Sequence, residues 1–152
     1  MNAPSLIAVF LALVSADYGT KRLAENAIPP EGTDVFGNFV RLRHQMNEGI
    51  AFSAPITGWP LKILTVALIA YVAYYYLREE KLRGTKMVDL AYAAFLAGAA
   101  GNGVDRILMG KVTDFIEVKY FANFNLADII ICASAATIVV IHFLHERPRN
   151  SK

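Results

Sequence analysis

Charge is scarce in this chain. Asp, Glu, Lys and Arg make up only 18% of its 152 residues, where an ordinary soluble domain carries about 25%. With 55% hydrophobic residues and a mean hydropathy of +0.38, that shortfall excludes a typical soluble domain and points to a bilayer. The charge that remains is nearly balanced, a net +2 with no gathered basic patch, which argues against a nucleic-acid partner. Cysteine is scarcer still. The only one, Cys132, allows neither an internal disulfide nor a multi-cysteine metal site. Its apolar neighbours Ile131 and Ala133 predict a buried, inert thiol, because activation needs a cationic neighbour. Of the three histidines, His142 and His145 stand three apart at a helix end without an acidic cluster, and His44 is alone, so no metal centre is expected. No cofactor is implied either.

Long apolar runs are what the chain has instead. Four are expected to span the membrane, at about residues 5–24, 61–77, 88–101 and 126–143, near the roughly 20 residues that a helix needs to cross. The first is strictly apolar only to Val14, so its helix must carry Asp17 and Lys21 into the interface. A cleaved signal peptide is the competing reading of this segment, but Met1 to Ser5 lack the basic n-region such signals have. The second run ends in Tyr71, Tyr74, Tyr75 and Tyr76, a headgroup-level composition. The third is rich in Ala and Gly, which lets helix backbones approach closely. Lipid offers no partner to open backbone groups, so a helical bundle follows.

Arg78, Lys81, Arg83 and Lys86 between the second and third runs, and Arg147, Arg149 and Lys152 after the fourth, assign both regions to the cytoplasm. Both termini are then cytoplasmic, and residues 22–60 and 102–125 form outer loops. Within the second loop, Val112, Asp114, Ile116, Val118 and Tyr120 alternate with their neighbours, the period of a strand. Val35 to Leu42, after a Pro29-Pro30 and Gly32 turn region, can supply a partner strand. The expected fold is therefore mainly α: a four-transmembrane-helix bundle with a small extracytoplasmic β-sheet, one membrane domain over residues 1–152.

Two aspartates draw attention. Asp128 stands at the mouth of the fourth run, where a carboxylate is expensive to keep and is a functional candidate by default. Asp114 lies fourteen residues upstream, on the expected strand. Two interacting carboxylates cannot both ionise cheaply, so they tend to share a proton, and one can act as base while the other acts as acid. Each also has a bland account. Asp128 suits a helix N-terminus electrostatically, and Asp114 suits a strand edge. Asp17 and Lys21 are spaced for an ion pair on one helix face. Asp105 stands beside Arg106, and pairing with a cation holds a carboxylate ionised. Asp89 is expected as another helix-start carboxylate, and Glu79-Glu80-Lys81 as a solvated loop.

Five blocks occur in order: Asp17-Tyr18-Gly19-Thr20-Lys21; Asn47-Glu48-Gly49-Ile50-Ala51-Phe52; Gly101-Asn102-Gly103-Val104-Asp105-Arg106; Val112-Thr113-Asp114-Phe115; and Phe124-Asn125-Leu126-Ala127-Asp128. Together they resemble the lipoprotein signal peptidases, or signal peptidase II, a family of bacterial membrane aspartyl peptidases. Two departures are visible: Tyr18 where a glutamine is common, and Glu48-Gly49-Ile50 where Gly-Ala-Ala is frequent.

The resemblance implies an aspartic endopeptidase that removes the signal peptide from diacylglyceryl-modified prolipoproteins, cutting before the lipidated cysteine. It makes Asp114 and Asp128 the catalytic pair. It gives Asn47, Asn102, Arg106 and Asn125 substrate or inhibitor contacts, and Asp17, Lys21 and Asp105 a supporting role. It further implies a bacterial cytoplasmic (inner) membrane location with the site on the extracytoplasmic side, a monomer working among membrane lipid, and inhibition by the cyclic peptide antibiotic globomycin. Two rivals belong to other classes. One is a small proton-coupled carrier using Asp17, Asp105 and Asp128, although relays need ionisable groups across membrane depth. The other is a non-catalytic bundle that scaffolds partners through its Ala-rich third segment.

Overall fold

A computed structural model describes residues 1–49, 57–81 and 85–146. Ile50, Ala51 and Phe52 of the second block lie outside the described residues, as do Arg83, Arg147, Arg149 and Lys152 of the charge pattern. Four helices and four strands follow in the order α1 (Ala3–Ala27), β1 (Thr33–Phe36), β2 (Val40–Asn47), α2 (Gly58–Tyr75), α3 (Lys86–Met109), β3 (Val112–Val118), β4 (Ala122–Phe124) and α4 (Leu126–Glu146). A π-helical turn, Tyr76–Glu80, continues α2.

Local chemistry sets the helix ends. Asn2 caps α1, its side chain accepting from Ser5 N at 3.0 Å. The helix runs through Asp17 and Lys21 and stops at Ile28, whose extended backbone suits a residue before proline. Thr85 is the N-cap of α3 and accepts from Val88 N at 3.2 Å. Asp89 follows in the first turn, where Tyr76 Oη donates to it at 2.7 Å. Gly110, with φ of 75°, closes α3 in the left-handed conformation that favours glycine.

α3 is the central helix and packs on α1, α2 and α4. Its apolar window is 56% buried, against 11% for each of α2 and α4. Small residues make this possible. A Cβ on Gly98 would meet Ala127 O at 2.8 Å, and one on Gly101 would meet Asp17 Oδ2 at 2.5 Å, so α4 and α1 approach α3 only because these positions carry no side chain. Large apolar side chains such as Ile63, Leu68 and Val139 point outward, as a lipid-facing surface requires. All four helices are long and apolar enough to cross a membrane.

The sheet is antiparallel in the order β1-β2-β3-β4. The expected strand at Val35 to Leu42 is instead a hairpin: β1 ends at Phe36, Gly37 turns with φ of 52°, and β2 restarts at Val40. The alternation expected to Phe121 stops at Val118, where Tyr120 takes a positive φ of 65° and β4 folds back on β3.

Three further expectations are corrected. The third apolar run ends at Gly101, but α3 continues to Met109, so Asn102, Asp105 and Arg106 are helical rather than loop residues. The side chains of Asn102 and Asp105 are buried among other polar groups and that of Arg106 is half-buried, which hydropathy does not register. Glu80 is not in a solvated loop. The π-turn rotates it inward, where it is buried and lies 3.1 Å from His142 Nε2. Cys132 is exposed on α4, because in lipid an apolar neighbourhood is as often the outer face as the core.

Candidate active site

Asp114 and Asp128 come from different elements and are joined through one side chain. Asp114 sits in β3 and is 3% exposed; Asp128 is in the first turn of α4 and half-buried. Between them lies Asn125, fully buried. Its Nδ2 donates to Asp114 Oδ1 at 2.9 Å and to Asn102 Oδ1 at 3.1 Å, and its Oδ1 accepts from Asp128 N at 3.1 Å. Asp128 Oδ2 in turn accepts from Asn125 N at 3.1 Å. This reciprocal exchange is a capping box, satisfying N–H groups that a helix start leaves open. The bonds that begin α4 are also the bonds that assemble the site.

The remaining carboxylate oxygens are held by carboxamides. Asn102 Nδ2 donates to Asp128 Oδ1 at 2.8 Å, and Asn47 Nδ2 donates to Asp114 Oδ2 at 2.9 Å. Sheet register makes the second contact possible. β2 pairs Asn47 with Val112 and Gln45 with Asp114, so Asn47 reaches Asp114 across the diagonal of one sheet face. Its own Oδ1 accepts from Gly49 N at 2.9 Å, which orients the amide with its NH2 toward Asp114. Burial raises the Asp114 carboxyl above the ordinary carboxylate range. The Asn47 bond opposes the rise, the charge of Asp128 adds to it, and the Asn125 bond opposes it.

Lys21 organises the layer beneath. Its ammonium lies 2.7 Å from Asp17, 2.7 Å from Asp105 and 3.0 Å from Asn102 Oδ1, so all three donors are used. A donor-only group at that point forces the oxygen of Asn102 toward Lys21 and its NH2 toward Asp128. Asp17 Oδ1 accepts from Ala127 N at 2.9 Å, tying α1 to the start of α4. The cation of Asp105 is therefore Lys21 and not its chain neighbour Arg106, which projects from another face of α3. Arg106 donates to Gly49 O at 3.3 Å, and its buried Nε has no hydrogen-bond partner among the described residues.

The fold thus brings Asp17, Lys21, Asn47, Asn102, Asp105, Asp114, Asn125 and Asp128 into one connected cluster, with Arg106 at its edge through Gly49. Sequence reasoning passed over Glu25 and Thr113. The Thr113 hydroxyl, buried beside Asp114, donates to Glu25 Oε1 at 2.7 Å, and Arg22 pairs with Glu25 at 2.6 Å. The available signal was spacing: Glu25 follows Lys21 by four residues and Asp17 by eight, on one helix face. Chemically, every oxygen of the two carboxyls accepts from an N–H donor, which fixes the orientation of both groups and opposes the rise that burial imposes on Asp114.

Comparison with known proteins agrees with this architecture. The family described as Signal peptidase (SPase) II matches residues 9–144. A lipoprotein signal peptidase of Sinorhizobium fredii is 34% identical, over 97% of this chain and 91% of its own length. One from Halothermothrix orenii is 30% identical, over 91% of this chain and 95% of its own. A bacterial membrane enzyme structure solved by the in meso method at 2.3 Å resolution superposes with a TM-score of 0.85. It covers 99% of this chain and 94% of that one, at 22% identity, a likeness of fold. With nearly the whole chain covered by relatives of one kind, this multi-pass membrane protein belongs to the signal peptidase II family.

Proposed function

We propose that the chain is an aspartic endopeptidase that removes the signal peptide from diacylglyceryl-modified prolipoproteins, cutting before the lipidated cysteine, with Asp114 and Asp128 as the catalytic pair. The observation that carries this reading is the bridge through Asn125. It holds one buried and one half-buried carboxyl in a single hydrogen-bonded unit at the end of a lipid-facing bundle. The names of the relatives, lipoprotein signal peptidases, supply the substrate class.

The chemistry follows from the pair. The ionised carboxylate takes a proton from a bound water while its oxygen attacks the scissile carbonyl carbon, and the protonated carboxyl donates to the carbonyl oxygen. The tetrahedral intermediate then collapses. Its C–N bond breaks as the leaving nitrogen receives a proton from the pair and one hydroxyl of the intermediate returns its proton to the pair, and a carboxylic acid and an amine are released. Water is consumed, no covalent enzyme intermediate forms, and the pair returns to sharing one proton. Arg106, whose buried Nε has no hydrogen-bond partner among the described residues, and the second amide N–H of Asn47 and of Asn102 are donors suited to peptide carbonyls. Asn125, with both amide N–H groups taken, would act on substrate by holding the pair. The lipid tails of the substrate remain in the bilayer beside the helices.

Membrane orientation is part of the proposal. Arg78, Lys81 and Lys86 lie where α2 passes into α3, the end of the bundle away from the sheet. By the positive-inside rule that end and both termini are cytoplasmic, and the pair works on the outer side of the cytoplasmic membrane. A monomer contains every group named here, and a cyclic peptide such as globomycin would compete for the same donors. A proton carrier would need ionisable groups through the membrane's depth, whereas α3 between Tyr92 and Gly101 has none.

The test is purified protein in lipid, given a diacylglyceryl-modified precursor and its unmodified twin. Cleavage of the lipidated form alone, before its cysteine, is expected. Equal cleavage of both, or of neither, would overturn the substrate assignment.

A further inference from the structure

Each aspartate of the pair follows a residue that α1 holds by a carboxylate. Asp17 accepts from the backbone N–H of Ala127, the residue before Asp128, at 2.9 Å. Glu25 accepts from the hydroxyl of Thr113, the residue before Asp114, at 2.7 Å. Lys21, between them on the same face, orients Asn102 at 3.0 Å. Three positions spaced i, i+4 and i+8 on one helix therefore reach three of the elements that contribute to the site: α4, α3 and β3.

We propose that Glu25 is a positioning residue for Asp114, holding β3 from behind through the Thr113 hydroxyl. The proposal rests on Asp114 and Asp128 being the reacting pair, and geometry supports it. Adjacent strand residues point to opposite faces, so Thr113 projects toward α1 while Asp114 projects toward Asn47 and Asn125. Anchoring Thr113 fixes the rotation of β3 about its own axis, and with it the direction of the Asp114 carboxyl. Thr113 is 1% exposed, and its other polar neighbour is the Met46 sulfur at 3.7 Å, a weak acceptor. Glu25 is itself held on its outer side by Arg22 at 2.6 Å, whose guanidinium lies 5.1 Å from the Tyr18 ring centre. Each oxygen of Glu25 thus has its own partner, Oε1 the Thr113 hydroxyl and Oε2 the Arg22 guanidinium.

Four variants of the full chain in lipid test this: Glu25→Gln, Glu25→Leu, Thr113→Val and the double Glu25→Leu/Thr113→Val. Two readouts are needed, kcat and KM on a lipid-modified precursor and the substrate-free titration of the Asp114 carboxyl followed by 13C NMR. Glu25→Leu and Thr113→Val should each lower kcat about tenfold to a hundredfold with KM little changed, the scale of a misplaced catalytic group. The double variant should be no worse than the poorer single, because both remove one contact. Glu25→Gln keeps an acceptor oxygen for the hydroxyl and should restore kcat to within about threefold, well under the factor of ten that 1.4 kcal/mol represents. The Asp114 titration should move in the leucine and valine variants and stay in place in the glutamine one. Unchanged kcat and titration in Glu25→Leu, or losses that multiply in the double variant, would overturn the proposal. So would a Glu25→Gln enzyme as impaired as Glu25→Leu. If Glu25→Leu does not fold, Thr113→Val, which removes only a hydroxyl, decides alone. If the unaltered protein leaves the precursor uncut, the peptidase reading fails while the NMR titration still tests Glu25.

Discussion

Lys21→Met offers a severe test of how the cluster is held together. Methionine keeps much of the length of lysine and removes its three donors, which now serve Asp17, Asp105 and Asn102. The three ionisable side chains sum to one negative charge with Lys21 present and to two without it. All are deeply placed, the lysine side chain 4% exposed and the carboxylates 2% and 10%. Removing one partner from a buried ion pair destabilises by about 3–5 kcal/mol. For a chain of this size each kcal/mol corresponds to about 2–4 °C in Tm, so melting in detergent should fall by about 6–20 °C. Lys21→Met/Asp105→Asn, which removes one of the two stranded carboxylates, should recover part of that loss. Activity at a temperature where the single variant remains folded should also fall, because Asn102 no longer has a cation to turn its NH2 toward Asp128. A Lys21→Met protein that melts within about 2 °C of the unaltered one, well short of that range, would refute the idea that the triad is a structural ion cluster.

Other consequences follow from the same geometry. Asn47→Leu removes a donor that favours the ionised form of Asp114, so the alkaline limb of the kcat profile should move to higher pH. The same direction governs folding. A carboxyl whose folded pKa is raised binds its proton more readily folded than unfolded, so its contribution to stability is fully present in acid and lost as pH rises through that folded pKa. Urea or thermal melts of the two proteins between acid and neutral pH check the sign. Gly101→Ala places a methyl 2.5 Å from Asp17 Oδ2 and should destabilise by about 1–3 kcal/mol, the range for overpacking, read as a lower Tm. Cys132, exposed on α4, should react with a membrane-permeant maleimide without loss of activity. Inactivation by that reagent would require a role for the thiol.

The bundle is legible in the sequence because a bilayer demands apolar runs of a set length. Helix ends are less so. Hydropathy falls at Gly101, yet α3 continues for two more turns, with Asp105 bonded to Lys21 and Asn102 to Asp128 rather than to water. The alternation from Val112 marks β3, whereas the β1–β2 hairpin is hidden in a run that reads as one strand until the positive φ of Gly37 is known. For Asp128, the helix-cap bond is present, and its other oxygen accepts from Asn102, so the cap does not exclude the functional reading. Cys132 and Glu80 misled for opposite reasons: an apolar neighbourhood lay on the outside, and a charged one was turned inward. Glu25 was legible only by extending the Asp17–Lys21 spacing by one more turn, and nothing in its own neighbours drew attention to it.

The claim that Asp114 and Asp128 form one proton-sharing pair is tested most directly by Asp114→Asn and Asp128→Asn, each nearly isosteric, assayed by mass spectrometry on a diacylglyceryl-modified precursor. Both proteins should remain folded in detergent, and neither should release a signal peptide. Retained cleavage by either one would contradict the pair.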